Sequence, residues 1–298
     1  MNRAFIVLNP RAGRGKGEGL AQPLADAARA AGWEAVVRTT RRAGEEVELA
    51  AEARAEGWPV VVAAGGDGTV HGVVNGLLAE GPTTTILGHV PVGSGNDYAR
   101  AIGVKKASVA KVLPKVLAGV PRRMDVGRAL GEYFVNGMGA GFDAEVVRQT
   151  LRMSHLTGFA LYLVAVYKSF GAFDPPDVEV TAPEHTERAR VMMLNVSIGP
   201  TQGGGFRLAP GATPDDGLFD VCLIRRVGLI RFLRYMPFVV LGRHGHLREV
   251  RIFRTTRIRI TGLSGPLPVQ LDGELRYPET DTIDVTILPR HLQVLCAR

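Results

Sequence analysis

The chain has 298 residues, 46% of them hydrophobic, and a formal net charge of +7. That is enough for one large or two medium domains with real cores, and the basic balance points to an anionic partner: nucleotide, nucleic acid or an acidic membrane surface. Its two cysteines, Cys222 and Cys296, support neither a disulfide framework nor a cysteine-based zinc site. No apolar run reaches spanning length, so a soluble cytoplasmic protein is expected.

Ala4 to Leu8 predicts the first strand, closed by Asn9-Pro10. Arg11 to Gly19, RAGRGKGEG, reads as a basic glycine loop opening onto a helix over Leu20 to Ala31. It is not a Walker A loop, because Pro10 stands at the first glycine position and Gly17 replaces the Ser/Thr after Lys16. Nor is it the dinucleotide fingerprint, since Glu18 occupies the place of the third glycine. Taken alone, it fits a solvated turn as well as a phosphate cradle. Glu34 to Arg38 predicts a second strand, Thr39-Thr40 a loop and Glu45 to Glu56 a helix.

The apolar run Val60 to Ala64 reads as a strand buried on both faces. Gly65-Gly66-Asp67-Gly68-Thr69 follows at once, and Val70, Val73, Val74 and Leu77 then recur at helical spacing. Such a junction leaves backbone N–H groups at a helix N-terminus, where an anion can sit, and glycines let a phosphate approach the main chain. Asp67 cannot bind phosphate itself; it is suited to a Mg²⁺ bridging phosphate oxygens, or to capping the helix in a tight turn. Ile86 to Val92 is a further strand, ending in Gly93-Ser94-Gly95-Asn96-Asp97 before another helix. Strands alternating with helices predict a parallel sheet, whose ligands gather at the carboxyl ends of the strands. NPRAG, TT, GGDGT and GSGND all fall there.

After a helix over Lys111 to Ala118, a strand over Arg122 to Gly127 leads out of the first domain. Beyond it the strands alternate: Leu194, Val196 and Ile198 against Asn195 and Ser197; Ile258 and Ile260 against Arg257 and Arg259; Ile283, Val285 and Ile287 against Asp284 and Thr286. Half-buried antiparallel sheet is expected, in a β-sandwich or flattened barrel. The division is therefore 1–125, α/β, with about 289–298 a candidate to return to it, and 126–288, β-rich. Leu156 to Phe170 is apolar nearly all round, too short to span a bilayer, and reads as a helix packed on the sheet. A second helix, Leu229 to Leu241, carries Phe232, Leu233, Met236, Phe238 and Val239 beside Arg231 and Arg234. From Arg225 to Arg259 there are ten arginines and one acid, Glu249. A one-sided basic face among apolar residues fits an anionic bilayer, at about 1 kcal/mol per cation. Nucleic acid is disfavoured by the lack of an aromatic-studded basic strand or recognition helix. His89, His244 and His246 share no metal-ligand spacing with one another or with His71.

Taken together the motifs resemble the diacylglycerol kinase catalytic family, the bacterial lipid kinases related to sphingosine kinases. The likeness rests on Asn9-Pro10 with Gly13, GGDGT at Gly65, GSGND at Gly93, Met124-Asp125-Val126-Gly127, Asn136-Gly137 through Gly141-Phe142-Asp143, Asp215-Asp216-Gly217-Leu218 and Leu271-Asp272-Gly273-Glu274. GGDG is shared with NAD kinases and phosphofructokinases, whereas GSGND, DDGLFDV and LDGE in this order are more specific. Ser94 stands where many members have Thr, which keeps the hydroxyl.

The resemblance implies an α/β N-terminal domain of NAD kinase or diacylglycerol kinase type, a C-terminal antiparallel β-sandwich, and an active site in the cleft between them. It implies transfer of the γ-phosphoryl group of ATP, with Mg²⁺, to a lipid hydroxyl. Asn9, Pro10, Arg11, Ala12, Gly13, Thr40, Gly65, Gly66, Asp67, Gly68, Thr69, Val70, His71, Gly72 and Ser94 map to nucleotide-contacting positions. Asp272 maps to the general base, with Glu274 beside it, and Asp67, Asp97 and Asp125 to an acidic cluster near the catalytic Mg²⁺. Thr213, Asp216 and Leu218 map to a separate structural Mg²⁺ site. Asp272-Gly273 between two strands is also a type I′ hairpin signal, and such a turn can deliver a base. The implied partners are a membrane lipid substrate and an anionic membrane surface bound peripherally, with a homodimer left open. Diacylglycerol leads the acceptors, ahead of phosphatidylglycerol, a sphingoid base or a polyprenol. The competing readings are a kinase of a soluble acceptor, such as NAD or a sugar phosphate, and a non-catalytic nucleotide- or lipid-binding regulator.

Overall fold

The computed structural model describes residues 2–151, 153, 158–170 and 173–296. They form two compact units, Met1–Val126 with Arg290–Arg298, and Gly127–Pro289.

In the first unit β1 (Arg3–Leu8), β2 (Glu34–Thr39), β3 (Val60–Gly65) and β4 (Ile86–Pro91) pair in parallel in the order β2-β1-β3-β4. The chain's last strand extends the sheet, with Val294 paired in parallel to Leu87. Every residue of β3 is buried, which is why its sequence is apolar without alternation. Helices Ala21–Ala30, Glu45–Ala55, Asp67–Leu78 and Val109–Leu117 connect the strands. The register sets Asn9, Thr40, Gly66 and Val92 one step beyond the four strand ends. Thr40 N–H donates to the Leu8 carbonyl and Asn9 N–H to that of Ala64, at 2.9 and 3.0 Å.

β5 (Val120–Ala129) carries the chain into the second unit. That unit is built from β6 (Glu132–Phe134), β7 (Gly137–Gly141), β8 (Asp177–Ala182), β9 (His185–Ser197), β10 (Phe219–Arg225), β11 (Val250–Thr255), β12 (Arg257–Gly262), β13 (Val269–Leu271), β14 (Glu274–Arg276) and the first part of β15 (Thr282–Cys296). Strands β7 to β14 pair antiparallel with one another, as does β12 with the first part of β15. β9 serves both layers of the sandwich. Its residues 185–190 pair with β8, and its residues from Val191 onward pair with β10 and β7. Leu194, Val196, Phe219, Val221, Ile258, Ile260, Ile283 and Val285 fill the core between the layers.

Two sequence expectations change here. Asn195 and Ser197 alternate with apolar neighbours but are fully buried rather than solvated. Helices Phe142–Leu151, Gly158–Phe170 and Leu229–Val240 contribute to a second apolar cluster that also includes Met193, which shares the Asn195 face of β9. No helix over Phe142–Leu151 is expected from the sequence; Leu156 and Thr157 of the expected apolar helix lie outside the described residues. The arginine run is also less bare than its sequence. Arg225 and Arg251 pair with Glu187, Arg231 with Glu249, Arg254 with Asp216 and Asp220, and Arg259 with Asp284. Strand pairing brings in acids that are remote along the chain. Among the described residues no helix is long and apolar enough to cross a membrane.

Candidate active site

In the first unit the site is assembled from four strand-to-helix turns. Asn9 donates its side-chain amide to Thr69 Oγ1 at 3.1 Å, and its Oδ1 accepts the Arg11 N–H at 3.0 Å. The turn after β1 is thereby tied to the first turn of helix Asp67–Leu78. Pro10 is half-buried, Arg11 exposed and Ala12 buried, while Gly13 takes φ 60° against the Val92 carbonyl. Thr40 is buried, and Ser94 is half-buried in its turn. The turns after β3 and β4 approach so closely that a Cβ on Gly93 would lie 2.4 Å from Gly66 Cα. Only glycine fits at that point.

Gly66 is the N-cap of its helix with no side-chain cap, so the first-turn N–H groups have no intrahelical acceptor and the dipole favours an anion. The Val70 N–H already donates to the Gly66 carbonyl, and Val70, His71 and Gly72 are buried within the helix. A Cβ on Gly72 would lie 2.2 Å from Glu46 Cγ, so this glycine serves helix packing. Gly65 accepts the N–H of Val92 at 2.8 Å and is 3.3 Å from His89 Nε2. Burial pushes the His89 imidazole down to about 4, so it is neutral at physiological pH.

The carboxylates predicted for the metal are distributed. Asp67 does not cap its own helix; its Oδ1 accepts the Tyr98 N–H at 3.0 Å, next to Asp97. Asp97 is buried and accepts from Arg100 at 2.7 Å, and Asp125 is buried and accepts the Arg290 N–H at 2.7 Å. No group of three or more His, Cys, Asp or Glu is arranged around a metal position among the described residues. For Mg²⁺ this is no obstacle, since that ion commonly takes one or two carboxylates and completes its octahedron with waters and substrate phosphates.

In the second unit Asp272 and Gly273 form the two-residue turn between β13 and β14, with φ of 50° and 92°. Both values are those of a type I′ hairpin. Asp272 is buried, and its carboxylate accepts three backbone N–H groups: Val135 at 2.9 Å, Asn136 at 2.8 Å and Gly137 at 3.0 Å. Glu274 is exposed on β14. Behind this turn lies a polar network that the sequence reading missed. Gln270 accepts the Gly273 N–H at 2.6 Å and donates to Asp143 at 2.8 Å and Gln202 at 3.2 Å; Gln202 accepts from Asn195 at 2.7 Å, and Ser197 bonds Asn195. Burial raises the Asp143 carboxyl above its ordinary range, against hydrogen bonds from Gln270 and Asn195. A Cβ on Gly139 would sit 1.7 Å from Asp143 Oδ2, and one on Gly137 1.8 Å from Gln202 Nε2. These glycines make room for the network, the one signal in the sequence that marked it.

Asp143 and Gln202 line a largely apolar cavity together with Phe142, Met193, Phe232 and Met236 among others. It holds about 780 Å³ of atom-free space, part of it open to solvent. The loop predicted for a structural metal lies in the same unit. Asp216 accepts the Leu218 N–H at 3.0 Å and pairs with Arg254, while Thr213 is exposed.

Comparison with known proteins gives two family matches: the diacylglycerol kinase catalytic domain over residues 3–129, and the YegS C-terminal NAD kinase beta sandwich-like domain over residues 136–296. A Bacillus subtilis protein named diacylglycerol kinase is 30% identical over 92% of this chain and 90% of its own. A Pseudomonas savastanoi protein named "Probable lipid kinase YegS-like" is 33% identical over 91% and 87%. Among solved structures, a diacylglycerol kinase of Bacillus anthracis superposes with TM-score 0.74 at 20% identity, over 99% of this chain and 96% of that one. Yeast NADH kinase does so at 0.50 and 10% identity, over 99% and 83%. Both are likenesses of fold.

Proposed function

Because the chain belongs to the diacylglycerol kinase catalytic-domain family, we propose that it transfers the γ-phosphoryl group of ATP to the hydroxyl of a membrane lipid, diacylglycerol giving phosphatidic acid. The observation that carries the lipid acceptor is the largely apolar cavity of the second unit, with Asp143 and Gln202 in its lining. A soluble acceptor has no use for such a lining, whereas acyl chains bury there with about 0.8 kcal/mol per methylene.

In this reading the first unit holds ATP. Gly13, Gly65 and Gly93 let the turns pack against one another, and first-turn N–H groups of helix Asp67–Leu78 meet the charge of the phosphates. The donor set fits Mg²⁺: Asp67, at the mouth of the glycine turn, would hold the ion through a hard carboxylate oxygen. When bound, the ion neutralises charge on the phosphates. Asp272 accepts the proton of the acceptor hydroxyl, worth about 10²–10⁴-fold in rate. Its three amide donors hold the carboxylate in one orientation, and Gln270 links the turn to Asp143 in the cavity lining. The Thr213–Leu218 loop is the structural Mg²⁺ site of this proposal, with Arg254 the cation already on Asp216.

The enzyme acts from the cytoplasm on an anionic bilayer. Helix Leu229–Val240 turns Phe232, Met236 and Val239 toward the cavity and exposes Leu229, Ile230 and Leu233, with Ile230 83% accessible. Arg234 and Arg243 lie exposed on and beside it. The test is to narrow the cavity. Val239→Trp should lower turnover of long-chain diacylglycerol far more than that of a short-chain analogue. Equal loss of both in a folded variant, or phosphorylation of NAD in place of lipid by the parent, would overturn the reading.

A further inference from the structure

Lys106 follows the short helix Asp97–Ala101 and folds its ammonium back over the GSGND turn. It donates to the Gly93 carbonyl at 2.7 Å, the same oxygen that accepts the Asn96 side-chain amide at 2.7 Å. An ammonium has three N–H donors, and this carbonyl takes one. Lys16, from the basic loop after β1, is near enough for its charge to act on Lys106. A Cβ on Gly13 would lie 3.4 Å from Lys16 Cβ and 2.3 Å from the carbonyl of Val92, which immediately precedes Gly93. Burial, then the charge of Lys16, then that of Arg100, hold Lys106 below the ordinary lysine range. No carboxylate is among those influences. Arg100 has its own partner in Asp97, whereas neither lysine forms an ion pair among the described residues. Two lysines repel one another at the glycine turn, beside N–H groups that favour negative charge.

We propose that Lys106 is a ligand of the nucleotide's polyphosphate, gripping it together with Lys16 from the opposite turn. The inference rests on the kinase reading. A lysine supplies phosphate with a mobile point charge, and charge neutralisation with positioning is most of what phosphoryl transfer asks of a protein. Lys106 is thus attached to the turn it completes, and its remaining donors serve the ligand.

The test compares Lys106→Met, which keeps an unbranched apolar stem, with Lys106→Arg and Lys16→Met. ATP and adenosine binding are measured by calorimetry, alongside thermal unfolding. Loss of one charge-assisted hydrogen bond should weaken ATP about ten- to hundredfold in Lys106→Met. Adenosine affinity should be unchanged, and Lys106→Arg should retain most ATP affinity. Should Lys106→Met fail to fold, the exposed Lys16→Met carries the same ATP-selective expectation. Parental ATP affinity in both Met variants, or equal loss of ATP and adenosine in Lys106→Met, would overturn the inference and leave the kinase reading standing. A parent that binds no ATP would overturn both.

Discussion

Replacing Asp272 with Asn takes one carboxylate oxygen out of a nest of three buried donors. Oδ1 accepts from Asn136 and Gly137, and Oδ2 from Val135. The asparagine rotamer that keeps most bonds places its oxygen at the Oδ1 position and turns its NH₂ against the Val135 N–H. One buried donor pair then faces donor to donor, at about 1–3 kcal/mol for an unsatisfied group, and the two surviving bonds lose their charge assistance. The backbone adds no penalty, because asparagine tolerates φ 50° at least as well as aspartate. A net loss of about 2–4 kcal/mol should lower the midpoint of a unit this size by about 5–15 °C. Calorimetric melting, ATP binding and diacylglycerol turnover on the same preparation separate the effects. A lower midpoint, retained ATP affinity and a loss of about 10²–10⁴-fold in turnover are expected. An unchanged midpoint would refute the nest, and ATP affinity falling with turnover would refute a role toward the acceptor.

His89 binds its proton in the unfolded chain near 6.5 and in the fold only near 4. Its contribution is therefore complete above about pH 6.5 and lost as pH falls toward 4, the loss reaching about 2 kcal/mol by about pH 5. His89→Leu should lose less stability than the parent between about pH 7 and 5 in urea unfolding; parallel losses would contradict this. For the Thr213–Leu218 loop, EDTA should lower the parent's melting temperature and leave Asp216→Ala unmoved; a parent indifferent to EDTA would exclude a structural ion. Ile230→Asp with Arg234→Glu should reduce sedimentation with anionic vesicles and activity on them, yet spare a monomeric short-chain acceptor. Equal loss on both acceptors would assign these residues to the fold.

Much of the first unit was legible because its strands are buried on both faces and its turns demand glycine. Val60 to Gly68 announces strand, turn and helix within nine letters, and the Gly66–Gly93 approach gives both glycines a steric reason. The hairpin at Asp272 was legible for the same reason, since Asp-Gly suits two residues at positive φ. Its donors were not, because Val135 to Gly137 lie more than a hundred positions away. The alternation around Leu194 showed which residues share a face but not what covers it, so Asn195 and Ser197 passed for a solvated edge. Counting charge along Arg225 to Arg259 failed in the same way, since Glu187 and Asp284 reach those arginines only through sheet pairing. Lys106 gave no signal at all; its role follows from where a flexible side chain lands.

The most direct measurement is the fate of labelled γ-phosphate. The protein is incubated with Mg²⁺, γ-labelled ATP and a total lipid extract supplemented with NAD, and the products are separated and identified. Label in phosphatidic acid, dependent on diacylglycerol and abolished in Asp272→Asn, is the predicted result. Label confined to a water-soluble product, or lipid labelling that survives in Asp272→Asn, would contradict the account.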